Sequence, residues 1–257
     1  PTPADIDAFI SDPRPDAYEH LVDRLLASPH YAQRYARHWL DVVHFGETHG
    51  YDKDKLRLNA WPYRDYVIRS LMQDKPYGRF IEEQLAGDLL HSGSPDSIEA
   101  LGFIAAGPWD FIGHAEVPET KIDGKVARHL DRDDMVTNTA NTFLSLTVQC
   151  AQCHNHKSDP VSQIDYYNMQ SVFASLDRAD KPYFADPVVH QQYAQLSETI
   201  RGLEKSLQEL RTKSAGLRQV AEVESELAKL KPTKLEKKPE FGWHSALSAN
   251  QNASQWV

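Results

Sequence analysis

The sequence predicts a mostly α-helical protein. Apolar residues recur at three- and four-residue steps along most of the chain as far as Leu176. Capping and breaking residues punctuate those runs at helical lengths. From Pro187 to Leu230 the composition turns to Glu, Lys, Gln, Leu and Arg, with Leu196, Ile200, Leu203, Leu207 and Leu210 at heptad-like spacing.

In chain order, residues 1–15 are rich in Pro and Asp and read as a linker. A helix is expected from Asp16 to Ala27, with Tyr18, Leu21, Val22, Leu25 and Leu26 on one face, and Ser28-Pro29 stops it. Tyr31, Tyr35, Trp39 and Val42 share a face of a second helix over 31–45, which ends near Gly46. The polar loop Glu47 to Asp54 is dense in hydrogen-bonding groups, and loops of this kind often carry function. Pro62, in a first turn, opens a helix from Trp61 to Met72. Further helices read over 77–90 and 97–106, before an irregular stretch through Trp109 and His114.

Asp133 or Asp134 is expected to cap the next helix. Val136, Ala140, Phe143, Thr147 and Cys150 then carry it forward and set the first cysteine on its buried face. A helix over 165–176 closes the compact region. The stretch 187–232 reads as a helical hairpin or coiled coil with a break near Ser214-Ala215-Gly216 and an end at Lys231-Pro232-Thr233.

The composition narrows the function classes. Lys and Arg number 28 against 37 Asp and Glu, a formal charge of −9, so the average surface repels a phosphate polymer and nucleic acid is not an expected partner. No apolar run approaches the roughly eighteen residues of a membrane span. Pro1 is not a native start, so an export signal is expected outside this stretch of sequence.

The two cysteines fall in one segment, Cys150-Ala151-Gln152-Cys153-His154. In this order and spacing each thiol can add across one haem vinyl group, and the following imidazole reaches the iron. One covalent haem c, held by Cys150 and Cys153 with His154 as proximal ligand, is therefore the leading reading. A redox disulfide between the two cysteines is an alternative, although no alternation of strands and helices surrounds them. A zinc site from Cys150, Cys153, His154 and His156 is another, with four ligands crowded into seven residues.

His44, His49, His114, His129, Met135 and Met169 are the candidates for a second axial ligand, with His49 and His114 favoured by their polar, turn-rich settings. An open iron site would instead permit catalysis. The segment Gly50-Tyr51-Asp52-Lys53-Asp54 and the Asn59–Tyr66 run form a second cluster. Its bland reading is helix capping and pairing of Arg64 with a nearby Asp. Its functional reading is a patch for a polyhydroxylated ligand or a haem propionate, the latter through Arg64.

Several long motifs occur together: Arg37-His38-Trp39-Leu40-Asp41, Gly50 to Asp54, Asn59-Ala60-Trp61-Pro62-Tyr63-Arg64-Asp65-Tyr66-Val67-Ile68, Glu83-Gln84-Leu85-Ala86-Gly87-Asp88-Leu89, and Cys150 to Lys157. Taken together, they resemble the planctomycete-type cytochrome c domain, from about Ala17 to about Asp177. The resemblance implies haem attachment at Cys150 and Cys153 with His154 on the iron, within a large exported, multidomain protein of the periplasm or cell surface. It also implies carbohydrate-binding-like modules nearby. Phe241–Asn250 and Ala253–Val257 look like the opening strands of a discoidin-type β-sandwich.

The expected layout is thus a linker over 1–15, a compact multi-helix haem c domain over 16–186, a hairpin spacer over 187–232, and a linker with the first strands of a truncated sandwich over 233–257. The leading function is electron transfer by one haem in a larger exported oxidoreductase, with a redox partner protein or neighbouring domain. The second is an enzyme acting on an oligosaccharide or polysaccharide at an open iron, with His156, His49, Tyr51 and Asp52 as acid, base or positioning groups. The third is a sugar-binding or structural module in which haem is a staple.

Overall fold

The computed structural model describes residues 1–212, 217–230 and 240–247. Eleven α-helices and two strands are found among them, so the chain is mostly helical as its periodicity predicts. No helix among the described residues is long and apolar enough to cross a membrane.

The opening stretch is helical where a linker was expected. α1 spans Pro3–Ile10, and Thr2 caps it in a reciprocal box with Asp5, in which the Thr2 hydroxyl accepts the Asp5 amide and the Asp5 carboxylate accepts the Thr2 amide. α2 (Ala17–Leu26) and α3 (Pro29–Val42) follow, the latter capped by Ser28 and opened by Pro29. α4 (Trp61–Met72) and α5 (Tyr77–Leu90) lie where the sequence placed them. The expected helix over 97–106 is instead a short α6 (Asp96–Glu99) running into a 3₁₀ turn at Ala100–Phe103. α7 spans Phe111–Ala115, and Asp110 caps it through the Gly113 amide.

α8 spans Ile122–Thr139, which corrects two expectations. Asp133 and Asp134 are interior residues rather than caps. The helix also stops well short of Cys150: a π-turn occupies Ala140–Leu144, and Ser145, at φ 55°, is left-handed and ends it. α9 spans Gln163–Val172 and begins in a second capping box, between Ser162 and Asp165. β1 (Leu176–Tyr183) follows, beginning on the residue at which the expected helix over 165–176 ends. α10 (Pro187–Thr212) and α11 (Leu217–Leu230) form the anticipated hairpin, whose expected break and end at 214–216 and 231–233 lie outside the described residues.

β2 (Glu240–Leu247) pairs antiparallel with β1 in a register from Leu176 opposite Leu247 to Tyr183 opposite Glu240. The strand expected near Phe241 therefore exists, and its partner is β1. The segment 253–257 lies outside the described residues.

The core joins α3, α4, α5, the Ala100–Phe103 turn, α8 and α9 through Val43, Tyr63, Tyr66, Val67, Phe80, Phe103, Met135, Val136, Tyr166 and Phe173. Much of the resembling motif sequence is interior scaffold. Trp39 Nε1 donates to Tyr63 Oη at 3.0 Å and to Gln84 Oε1 at 3.1 Å, and Tyr63 Oη donates to the same Gln84 oxygen at 2.7 Å. Next to this knot, Glu83 is buried and accepts from Tyr66 Oη (2.9 Å), Lys75 Nζ (2.6 Å) and Arg79 Nε (2.6 Å). Burial alone would raise the Glu83 pKa, but these three hydrogen bonds together hold it below the ordinary glutamate value. Satisfied networks of this kind stiffen a core, because each buried polar group would be costly without its partner.

Candidate functional site

The cysteine segment is a surface turn pinned from beneath. A 3₁₀ turn covers Gln149–Gln152, and the Cys153 and His154 amides both donate to the Cys150 carbonyl at 3.4 Å. Cys150 and Cys153 are exposed and not bonded to each other. Cys150 is thus not on a buried helical face, because the helix that would have carried it there ends five residues earlier, at Ser145.

The two spacer residues do the anchoring. Ala151 has no exposed surface and belongs to the core with Val148. The Gln152 amide meets His129 Nε2 at 2.8 Å, and the Gln152 carbonyl accepts from Gln163 Nε2 at 3.0 Å and Tyr167 Oη at 3.1 Å. Asn155 Oδ1 accepts the Gln163 amide at 2.9 Å, which ties the turn to the first residue of α9. The spacing of the two cysteines alone assigns no role to Ala151 and Gln152. A small residue followed by an amide between the cysteines was the available signal.

The two histidines that follow differ in their hydrogen bonds. His154 is exposed, and its Nδ1 donates to the Asn155 carbonyl at 2.8 Å, which leaves the Nε2 lone pair directed elsewhere. His156 Nδ1 accepts the amides of Asp159 (2.9 Å) and Ser158 (3.3 Å), so the ring caps the Ser158–Asp159 turn and carries its proton on Nε2. No three His, Cys, Asp or Glu side chains among the described residues gather as a metal site, which leaves the zinc reading without a ligand cluster.

A cavity of about 430 Å³ opens beside this turn, with Gln149, Tyr51, His44, His114 and the α8 carboxylates Asp131 and Asp134 in its wall. Tyr51, at φ 61°, is exposed on the loop beside exposed Asp52. His114 Nδ1 lies 2.9 Å from the Asp110 carbonyl, to which it donates, while its buried Nε2 has no hydrogen-bond partner among the described residues and is 4.0 Å from Asp131 Oδ2. His49 sits deeper. Its Nδ1 accepts from Arg57 Nε at 3.2 Å, and burial first, then the Arg57 charge, pushes its pKa below the usual histidine value. The Trp109 ring lies 5.0 Å from His49 and 5.1 Å from His114, so both favoured axial candidates touch one indole.

Two of the other candidates lie in or against the core. Met135 is buried in the core, and Met169 packs against it. His44 Nε2 is 3.6 Å from Asp134 Oδ1. Each ring nitrogen of His129 faces a glutamine amide, from Gln152 and Gln170. Arg64 pairs with Glu47 Oε1 at 2.6 Å and Asp65 Oδ1 at 3.0 Å.

Behind the cavity lies a paired-arginine clamp. Arg178 of β1 has no exposed side-chain surface, and its Nη2 reaches Asp131 Oδ1 at 2.8 Å and Asp134 Oδ2 at 3.1 Å. Its Nη1 donates to the carbonyls of Gly107 (2.5 Å) and Pro108 (3.1 Å). Arg57 donates to the carbonyls of Gly107 (2.6 Å) and Ala106 (2.8 Å). Burial first, then the nearby Arg178, pulls the Arg57 pKa down to about 10.

A family model described as PSCyt2, a protein of unknown function (DUF1549), matches residues 1–178 of the 257. The chain belongs to the PSCyt2 family. This is the family that the motifs resemble, and in PSCyt2 terms the matched region runs from α1 through the cysteine turn to Arg178, the residue that closes the clamp. None of the curated proteins and none of the solved structures compared with the chain gives a significant match. The PSCyt2 motifs around Trp39, Tyr63 and Gln84 build the scaffold, whereas those around Tyr51 and Cys150 face solvent or the cavity.

Proposed function

We propose that this PSCyt2 domain is a one-haem c-type cytochrome that passes single electrons within a larger exported protein. The observation that carries the reading is the exposed, unbonded pair Cys150 and Cys153 on one turn, with buried Ala151 between them. The haem-supporting residues fit the group chemically: two accessible thiols are free to add to vinyl groups, and the imidazole of His154 has Nδ1 donated to a carbonyl so that Nε2 is the available donor. Haem c would supply reversible one-electron exchange at iron.

The chain's own contribution is placement. Cys150 and Cys153 would hold the group, Ala151, Gln152 and Asn155 keep the turn in position, and His154 would ligate from the proximal side. Of the two further residues that could hold the iron, we favour His114 over His49. His114 lines the cavity that Gln149 reaches and keeps an unpartnered Nε2, whereas His49 is committed to Arg57 through Nδ1. His156 acts as a turn cap, which weakens its case as an acid or base, while Tyr51 remains at the cavity rim.

The resemblance of the segment beginning at Phe241 to a discoidin-type opening supports a neighbouring carbohydrate-binding module, and with it a polysaccharide or oligosaccharide partner at the periplasmic or cell-surface side. The deciding experiment is a pyridine haemochrome spectrum with an intact mass, on protein made in a host that matures c-type haem. One haem added to the polypeptide mass is expected; the mass of the bare polypeptide would sink the proposal.

The second reading, an enzyme at an open iron, is favoured by one feature: the cavity beside the turn carries Tyr51, His44 and His114 and has room for a small ligand. Carbon monoxide binding to the reduced protein would support it, and a low-spin spectrum indifferent to carbon monoxide would support electron transfer.

A further inference from the structure

A second cavity, of about 380 Å³, lies between α8 and α9, with Lys125, Arg128, His129, Arg132, Tyr167 and Ala174 in its wall. The chain carries a net charge of −9, so a wall with three cationic side chains departs sharply from the average surface. The three come from positions 125, 128 and 132 of α8, spaced three and four apart and hence on one helical face. One acid, Glu119, shares the wall, and it is already paired with Arg128 Nε. The Arg128 fork is further committed to the carbonyls of Gly113, Gly124 and His114. Arg132 is half-buried and has no ion-pair partner among the described residues.

We propose that this cavity binds a small organic dianion, with a carboxylate on the Arg132 fork, the positive field of the Lys125–Arg128–Arg132 face around it, and the carbon skeleton against Tyr167 and Ala174. The volume lies within the range of small-molecule sites, and the wall combines an apolar platform with a few convergent charges. Arg132 supplies a planar fork suited to bidentate carboxylate recognition, partly withdrawn from water, where such bonds are strongest. The site shares no wall residue with the cavity at Tyr51 and His114, and it goes beyond the electron-transfer reading. Two of its residues also hold the cysteine turn, since His129 faces the Gln152 amide and Tyr167 Oη donates to the Gln152 carbonyl. The occupant therefore touches the same side chains that position Cys150 and Cys153.

The test is isothermal titration of the purified chain with succinate, malate and citrate in turn, with succinamide as the uncharged control. Succinate or malate is expected to bind saturably at one site, more weakly as salt rises, with the trianion citrate as a size and charge comparison, and succinamide is expected not to bind. Arg132→Gln should weaken binding at least about tenfold, the cost of losing a charge-assisted pair. Its melting temperature should match the parent, because Arg132 holds no partner in the fold, and Arg132→Lys should keep part of the affinity. No saturable binding by succinate or malate, equal binding of succinamide, or an Arg132→Gln titration identical to the parent would each overturn the proposal.

Discussion

Arg57 and Arg178, 121 positions apart in the numbering, donate to the same oxygen, the Gly107 carbonyl, at 2.6 and 2.5 Å. Two guanidiniums repel each other, and their meeting is tolerated because Asp131 and Asp134 stand on the Arg178 side. The clamp fixes the segment that carries Trp109, and through it the rings of His49 and His114. Arg178→Met should therefore destabilise the domain by about 3–5 kcal/mol, since it strips buried Asp131 and part-buried Asp134 of the guanidinium between them. Urea denaturation followed by tryptophan fluorescence measures this; a loss under about 1 kcal/mol would show the clamp to be ornamental.

Gly107 has no room for a side chain. A Cβ there would stand 2.0 Å from Asp134 Oδ2, the oxygen that Arg178 holds. Gly107→Ala is expected to cost about 1–3 kcal/mol by overpacking, and to be sub-additive with Arg178→Met because both break one arrangement. A double-mutant cycle reads the coupling directly, and simple additivity would contradict it.

Glu83 gives a pH signature. Its folded pKa is depressed below the ordinary 4.5, so the stability it contributes is present above that value and disappears as pH falls through the folded pKa. The difference in unfolding free energy between the parent and Glu83→Gln should be largest near neutrality and shrink below about pH 4.5. A difference that stayed constant to pH 3 would mean that Lys75 and Arg79 do not hold the carboxylate as drawn.

Haem attachment predicts a graded loss. Cys150→Ala and Cys153→Ala should each leave at most one thioether, and the double variant none, as read by haem staining after denaturing electrophoresis. Ala151→Leu should also lower the yield of attached haem, because Ala151 is fully buried and a larger side chain would lift the turn off the core. Unchanged attachment in Ala151→Leu would show that the turn need not be anchored.

The choice between axial candidates is also open to measurement. His114→Ala should convert a low-spin spectrum to a carbon monoxide-binding one, while His49→Ala should leave the spin state in place and lower stability by about 1–3 kcal/mol through the orphaned Arg57 donor. The reverse pattern would reassign the ligand to His49.

Much of the helical layout was legible because its punctuation is local. Ser28-Pro29 and Pro62 mark real starts, and α4 and α5 fall on their expected residues. α1 was missed because Pro and Asp suggest a linker until the Thr2–Asp5 box is recognised. The path into the cysteines misled because apolar spacing continues through Phe143 and Thr147 while the backbone breaks at Ser145, a left-handed turn that no spacing announces. β1 was hidden for a different reason: its partner is dozens of residues away, and Arg178 inside it is buried only because Asp131 and Asp134 await it. The cysteines were visible in the sequence, but the anchoring by Gln152, Gln163 and Tyr167 depends on α9 coming back beneath the turn.

β1 and β2 pair from Tyr183 opposite Glu240 outward, so the chain leaves the domain and returns to the very place it left. The α10–α11 excursion is accordingly a handle rather than an arm: it sets no distance between what lies before it and what lies after. Removing one whole turn from each of its helices would shorten the handle and leave both of its roots where they are.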